Sequence, residues 1–295
     1  MREPKEAGTA GHAKDIVSAF PQFLGLEVVL LGEGYDFRVF EVGQHWLFRF
    51  PKREGSVDKL NTEERLLSEL GKALPLPIPT YEYFGHSKEG PGWPFAGYKK
   101  LPGIPGDQSN DADPALIARQ LGHFLDRLHA YPTDRAREAG VANRYDLVAH
   151  WRSKALEELD RVVEFDKDLL GIGTYLSHDV PLAFDGAATL VHNDLMAEHV
   201  LVSPRSGGVS GVIDWGDVVI GDPAVDFAGL YTWFGKHSVE HALADYTGRL
   251  GSEGIKRARF LATCLAIHAI ALGQELPYDR WVDEGRKALR LIFEC

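Results

Sequence analysis

Leu190-Val191-His192-Asn193-Asp194-Leu195-Met196-Ala197-Glu198-His199-Val200-Leu201-Val202, followed by Gly211-Val212-Ile213-Asp214-Trp215-Gly216-Asp217, is the stretch on which the reading of this chain turns. Each block sets an aspartate close behind a short aliphatic run, with small or polar neighbours. A carboxylate at a strand end, pointing into a cleft, is well placed for metal or proton chemistry. Twenty positions separate Asp194 from Asp214, room for a strand, a turn at Gly207-Gly208 and a return strand. Such a hairpin would bring His199 and Asp214 to one metal and leave Asp194 to act on a hydroxyl.

Phosphoryl transfer needs a carboxylate for the attacking hydroxyl, Mg2+ across the phosphates, and a cation on the nucleotide side fixed by a carboxylate of its own. Asp194 is the candidate base, and His199 and Asp214 are the candidate metal ligands. Arg49, at the end of the apolar run Trp46–Phe50, is placed to meet the phosphates, with Glu63 on the next segment as its partner. Taken singly these residues say little. A lone Asp after a strand is more often a turn or helix cap, and a lone Glu63 is an ordinary solvated helix carboxylate. Weight comes from the blocks occurring together and in this order. His192 and His199 lack cysteine partners at zinc spacing. The chain has no Gly-x4-Gly-Lys-Ser/Thr loop and no Gly-x-Ser-x-Gly elbow.

Upstream, the first third reads as strands: Glu27–Leu31, broken by Gly32-Glu33-Gly34, then Phe37–Val42 and Trp46–Phe50 around a turn at Gly43-Gln44. Leu66, Leu67 and Leu70 predict a helix over Thr62–Leu70. Three prolines in Leu74–Pro79 force an extended path. Tyr81–Gly85 and Phe95–Leu101 read as two further strands. Beyond Pro102-Gly103-Ile104-Pro105-Gly106 the texture becomes helical. Ile117, Leu121, Phe124, Leu125 and Leu128 share one face, and Trp151–Leu170, Phe260–Leu272 and Trp281–Phe293 are further helical segments. The expectation is an α+β chain with a β-rich lobe over 1–101 and a mainly helical lobe over 102–295.

Composition narrows the function. The 295 residues carry 32 Lys and Arg against 43 Asp and Glu, a net charge of −11, which argues against nucleic acid or anionic membrane as the main partner. Apolar residues at 44% and charged residues at 25% are ordinary for a globular protein. Cys264 reads as core and Cys295 as a fraying terminus, so no disulfide framework exists and a reducing cytoplasm fits. Met1–Lys14 lacks the apolar core of a signal peptide. Phe260–Leu272 is shorter than the roughly 20 residues a membrane helix needs.

Together the blocks resemble the aminoglycoside phosphotransferase family, which shares the protein-kinase-like fold. Its catalytic block, His-Gly-Asp-Leu-x-x-x-Asn, is similar to His192–His199, and its metal block, Ile-Asp-Trp/Phe-Gly/Glu-Asp, to Ile213–Asp217. Gly221-Asp222-Pro223-Ala224-Val225-Asp226-Phe227-Ala228 and Leu121-Gly122 through Leu128-His129 are also family-like, and the resemblance runs over about residues 28–235. Within the family, His192-Asn193-Asp194 with His199 is most similar to the aminoglycoside 2''-phosphotransferases, as are Phe48–Lys52, Leu74–Pro79 and Phe95–Tyr98. Arg49 stands where the family usually has Lys, a feature that resembles macrolide phosphotransferases. Lys52 is a second candidate for the phosphates.

The resemblance implies a two-lobed kinase with Asp194 as base, His199 and Asp214 on Mg2+, Glu63 as the helix carboxylate, and a hinge of Tyr98, Lys99, Lys100 and Leu101 that binds the purine through its backbone. It implies transfer of the γ-phosphoryl group of ATP or GTP to a hydroxyl of an aminoglycoside, a bulky Tyr98 favouring GTP. A macrolide or small-metabolite kinase and a nucleotide-binding pseudoenzyme are the alternatives. A cationic acceptor needs an acidic pocket, for which Asp217 is the first candidate, with Asp222, Glu240 and Glu157-Glu158-Asp160 beside it and Trp233 as an apolar face. A monomer is expected.

Overall fold

The computed structural model describes residues 4–293 apart from 89, 166–169, 179, 182, 249 and 277–278, so Cys295 lies outside the described residues. Two compact units divide the chain, 1–73 with 77–102, and 74–76 with 103–295.

The first unit is an antiparallel sheet of β1 (Val28–Glu33), β2 (Phe37–Val42), β3 (Trp46–Pro51), β4 (Tyr81–His86) and β5 (Pro94–Lys99), in the order β1-β2-β3-β5-β4. Helices α1 (Pro4–Ala19) and α2 (Glu54–Ala73) complete it. Strand alternation sorts its side chains. Phe40, Val42, Phe48 and Phe50 join Ile16, Phe23 and Phe95 in an aromatic core, while Phe37 sits with Leu60 and Ala96 in a second cluster. The β2–β3 hairpin turns through Gly43 and Gln44, whose φ values of 57° and 64° match the paired left-handed residues of a type I′ turn.

Three sequence expectations change here. Gly32 does not end β1. The strand absorbs it as a register shift between Leu30 and Gly32 and runs on to Glu33. Helix α2 begins eight residues before Thr62, because its first turns bury little besides Ser56 and Leu60 and so show no apolar period. Helix α1 was not expected at all; Gly and charged residues interrupt its sequence and leave hardly any apolar periodicity.

The second unit holds short β6 (Ile104–Pro105), then α3 (Pro114–His129), α4 (Thr133–Glu138), α5 (Leu147–Phe165) and α6 (Leu170–His178). Next come β7 (Thr189–Val191), β8 (Val200–Val202), β9 (Val209–Val212) and β10 (Val219–Gly221). Helices α7 (Ala224–Phe234), α8 (Lys236–Ala244), α9 (Gly251–Glu275) and α10 (Asp279–Phe293) close the chain. Strands β6-β8-β9 form one small sheet and β10-β7 another. Asp113 caps α3 by accepting from the amides of Ala115 and Leu116, with Pro114 at the first helical position. Helices α5, α6, α9 and α10 share a core that includes Phe260, Ile267 and the buried Cys264. The segment expected as one helix over Trp151–Leu170 is α5, starting at Leu147; 166–169 lie outside the described residues, and Leu170 opens α6. Among the described residues no helix is long and apolar enough to cross a membrane. The chain is α+β, as expected.

Candidate active site

Asp194 follows β7 on a loop that is tied down from three sides. Asp226, wholly buried in α7, accepts the backbone amides of His192 at 2.9 Å and Asn193 at 2.8 Å, one on each carboxylate oxygen. His192 donates its Nε2 proton to the Ile213 carbonyl at 3.0 Å, and Asn193 Nδ2 donates to the Asp217 carbonyl at 3.0 Å. The two aspartate blocks are therefore stitched to each other. Asn193 and Asp214 both hold left-handed backbone, φ 67° and 63°, which Asn and Asp tolerate better than other L-residues. Gly229 of α7 lets the loop come this close: a Cβ there would lie 1.8 Å from the Leu195 carbonyl oxygen.

The β8–β9 hairpin carries His199 to Asp214. His199 Nδ1 donates to the Asp194 backbone carbonyl at 2.8 Å, which fixes the ring and aims Nε2 at Asp214 Oδ2, 3.5 Å away. The Asp194 carboxylate is 3.4 Å from the same Nδ1. Burial pushes the Asp194 carboxyl up to about 6, helped by Asp214, Asp217 and Glu198 and opposed by His199. It is still ionised at neutral pH, and more basic than a surface aspartate. Burial alone would lower His199, but Asp194, Asp214 and Glu198 outweigh it and raise the imidazole to about 9. A metal at Nε2 must displace that proton.

His199 and Asp214 fit a magnesium ion that takes few ligands from protein. They offer one nitrogen and one carboxylate, and among the described residues no cluster of three His, Cys, Asp or Glu makes a complete cage. Mg2+ prefers oxygen and is commonly held by one or two carboxylates, with phosphate and water supplying the rest, so Asp214 is the better-matched ligand and the His199 nitrogen the less usual one.

In the first unit Arg49 and Glu63 meet. Arg49 Nη1 donates to Glu63 Oε2 at 2.5 Å and to the Tyr81 hydroxyl at 3.1 Å, and Tyr81 donates to the same Oε2 at 2.8 Å. The guanidinium also lies 4.0 Å above the Phe37 ring. Glu63 is 1% exposed, the opposite of a solvated helix carboxylate. Lys52 instead holds the β1–β2 turn, through Glu33 at 3.0 Å and the Gly34 carbonyl at 2.8 Å. Of the four residues expected to bind the purine, Tyr98 is buried in β5 with its ring edge-on to Tyr81, Lys99 is exposed and Leu101 half-buried. Lys100 already engages its amide on the His45 carbonyl at 2.8 Å and its ammonium on Glu41 at 2.5 Å.

A cavity of about 820 Å³ in the second unit is lined by Asn193, Asp194 and Asp217, and by Trp151, Trp233 and Trp281. Three further carboxylates line it that sequence reasoning did not single out: Asp107, Glu198 and Glu284. Asp107 pairs with Arg280 at 2.8 Å, and its side chain is 2% exposed. Burial pushes Glu284 up to about 7, helped by Asp107 and Glu198 and opposed by Arg280. Most of the other expected acids are elsewhere. Asp222 is buried against Arg257 at 2.5 Å and caps Ala224, so it serves the core. Glu158 is buried between His268 and Lys154, while Glu157, Asp160 and Glu240 are exposed and do not line the cavity. Asp226 did have a sequence signal, an acid inside the apolar run Ala224–Leu230. Asp107 and Glu284 had none, since only folding brings such distant positions together.

Comparison with known proteins fits this geometry. The chain is 28% identical to a solved structure described as the GDP and kanamycin complex of APH(2")-IIIa, with a TM-score of 0.71 over 95% of this chain and 97% of that one. It is 25% identical to viomycin phosphotransferase of Streptomyces vinaceus over 69% of this chain and 72% of the relative. It is also 25% identical to the uncharacterized protein YcbJ of Bacillus subtilis (strain 168), over 82% of this chain and 81% of the relative. The sequence model of the phosphotransferase enzyme family matches residues 27–261, well over half the chain, so the protein belongs to that family and is a phosphotransferase of protein-kinase-like fold acting on a hydroxyl group.

Proposed function

We propose that the protein transfers the γ-phosphoryl group of ATP or GTP to a hydroxyl of an aminoglycoside, a small acceptor rich in amino groups. The observation that carries this is the cavity itself: Asp194, basic enough to take a hydroxyl proton, shares it with Asp107, Glu198, Asp217 and Glu284. A pocket with so many carboxylates attracts ammonium groups and repels anionic acceptors. The kanamycin complex of a similar structure points the same way.

Asp194 accepts the proton of the attacking hydroxyl, and the tethers from Asp226 hold its loop still while it does so. His199 and Asp214 would hold Mg2+, which would supply charge neutralisation on the phosphate oxygens. Arg49, fixed by Glu63 and Tyr81, contacts the phosphates. Lys52 is the weaker candidate because Glu33 and Gly34 engage it. Backbone groups of Tyr98–Leu101 other than the Lys100 amide receive the purine, and the bulk of Tyr98 favours GTP. Asp217 orients the acceptor beside Asp194.

The test is nucleoside-diphosphate release with Mg2+, using ATP and GTP separately, against aminoglycosides, macrolides and small amino alcohols. Asp194→Ala is expected to lose turnover by about 10²–10⁴-fold while still binding nucleotide. Unchanged turnover in that variant would remove Asp194 from the mechanism. Equal KM values for ATP and GTP would dismiss the Tyr98 argument.

A further inference from the structure

Asp226 has a third ligand. His129, the last residue of α3, places Nε2 at 3.1 Å from Asp226 Oδ2, the oxygen that also accepts the His192 amide. A carboxylate only accepts, so the proton of this contact sits on His129 Nε2. In the neutral ring Nδ1 is then a lone pair, and 2.9 Å from it stands the hydroxyl of Tyr246. The Tyr246 O–H is the donor that suits this tautomer.

The placement of that hydroxyl is secured by its neighbours. Tyr246 lies just beyond α8, in a short segment sewn onto α3. Asp245 pairs with Arg119 at 3.0 Å, and Thr247 gives both its amide and its hydroxyl to Asp126, at 2.7 and 2.6 Å. Its ring stands edge-on to His129 and to Phe227. Tyr246 is not among the residues that line the cavity.

We infer that Tyr246 is a positioning residue for the transfer reaction: its hydroxyl engages His129 Nδ1 and so holds the ring with its Nε2 proton on Asp226, and Asp226 in turn holds the His192-Asn193 amides that set Asp194. Without the hydroxyl the Asp226 carboxylate still keeps the proton on Nε2, but Nδ1 becomes a buried lone pair without its donor and the ring loses the contact that fixes its orientation. Asp226 then shifts with the ring, and the two amides at the left-handed turn of Asn193 shift with it. The effect on catalysis rests on the reading of Asp194 as base; the effect on His129 and on the two amides does not.

Tyr246→Phe keeps the ring and its packing and removes only the oxygen. We expect kcat to fall about three- to tenfold, the range set by one lost hydrogen bond, with KM for nucleotide and acceptor within about twofold of wild type. In the background of His129→Gln the same substitution should cost little more, as expected for residues acting through one another. Nitrogen NMR of the imidazoles should show the Nε2–H form of His129 in both proteins, with its Nδ1 signal moved in Tyr246→Phe by loss of the hydrogen bond and the His192 and Asn193 amide signals displaced. A merely structural tyrosine would lower thermal stability without the selective kcat loss or the amide displacement. Unmoved His192 and Asn193 amides in Tyr246→Phe would overturn the inference, as would losses that add fully in the double variant. If the wild type turns over no acceptor, the reading of Asp194 fails, and the NMR result still decides whether Tyr246 acts on the loop.

Discussion

Replacing Glu63 with Gln keeps the size of the side chain and removes the charge that faces Arg49. Both groups are buried, at 7% exposure for Arg49 and 1% for Glu63, so water cannot take over. Glu63 Oε2 accepts from Arg49 at 2.5 Å and from Tyr81 at 2.8 Å. The amide oxygen of Gln can still accept from one of them, but more weakly, and the guanidinium loses the charge of Glu63. Removing one partner of a buried pair costs about 3–5 kcal/mol, and the retained acceptor puts the expectation near the lower end. At about 4–8 °C per kcal/mol for a unit of 60–100 residues, the size of the unit formed by 1–73 and 77–102, the melting temperature should fall by about 12–24 °C. Since Glu63 lies nearer the guanidinium, at 2.5 Å, than Tyr81 at 3.1 Å, KM for nucleotide should rise about tenfold, an energy of about 1.4 kcal/mol. The assay is thermal unfolding followed by fluorescence, together with steady-state kinetics in nucleotide. Glu64→Gln, one residue along α2 and exposed, is the control, and should move stability by no more than about 0.5 kcal/mol. A Glu63→Gln protein that melts within about 2 °C of wild type, with unchanged nucleotide KM, would show that Arg49 does not depend on Glu63.

Three shorter predictions concern the second unit. Gly229→Ala forces a Cβ to within 1.8 Å of the Leu195 carbonyl oxygen, backbone against backbone, so activity should be lost even where circular dichroism reports folded protein; an active variant would mean the loop is not pressed against α7. At Asn193, where φ is +67°, Ala should be less stable than Gly by about 1–2 kcal/mol in urea unfolding, because only Gly is free of the Cβ clash there; equal stabilities would contradict the left-handed turn. Burial holds Glu284 up to about 7, so its negative charge disappears as pH falls through 7. KM for an amino-rich acceptor should therefore rise between pH 8 and about 6, and Glu284→Gln should flatten that rise; an identical slope in the variant would take Glu284 out of acceptor binding.

How much of this was legible beforehand differs by element. The strands around Phe40, Phe48 and Phe95 were visible because strand period and apolar alternation coincide there. Helix α1 was not, because its residues show no periodic face to read. The hairpin that carries His199 to Asp214 could be anticipated from the spacing of two short aliphatic runs about Gly207-Gly208. Asp222 misled: it was expected among the acids of the acceptor pocket, and the structure instead buries it against Arg257, where it also caps Ala224.

The sequence by itself determined the order of the chemical parts and the class of the fold: a β-rich segment with a cation and a helix carboxylate, then two aspartate blocks in a helical segment. These are local signals, written in neighbouring residues and in periods of two and 3.6. Only the tertiary structure decided which carboxylates share a cavity, that Asp226 holds the loop bearing Asp194, and that His129 and Tyr246 stand behind it. Hydrogen bonds and charges act through space over a few ångströms, while Asp107 and Glu284, or His129 and Asp226, are far apart along the chain. No period or spacing records such a meeting, and it exists only once the helices have packed.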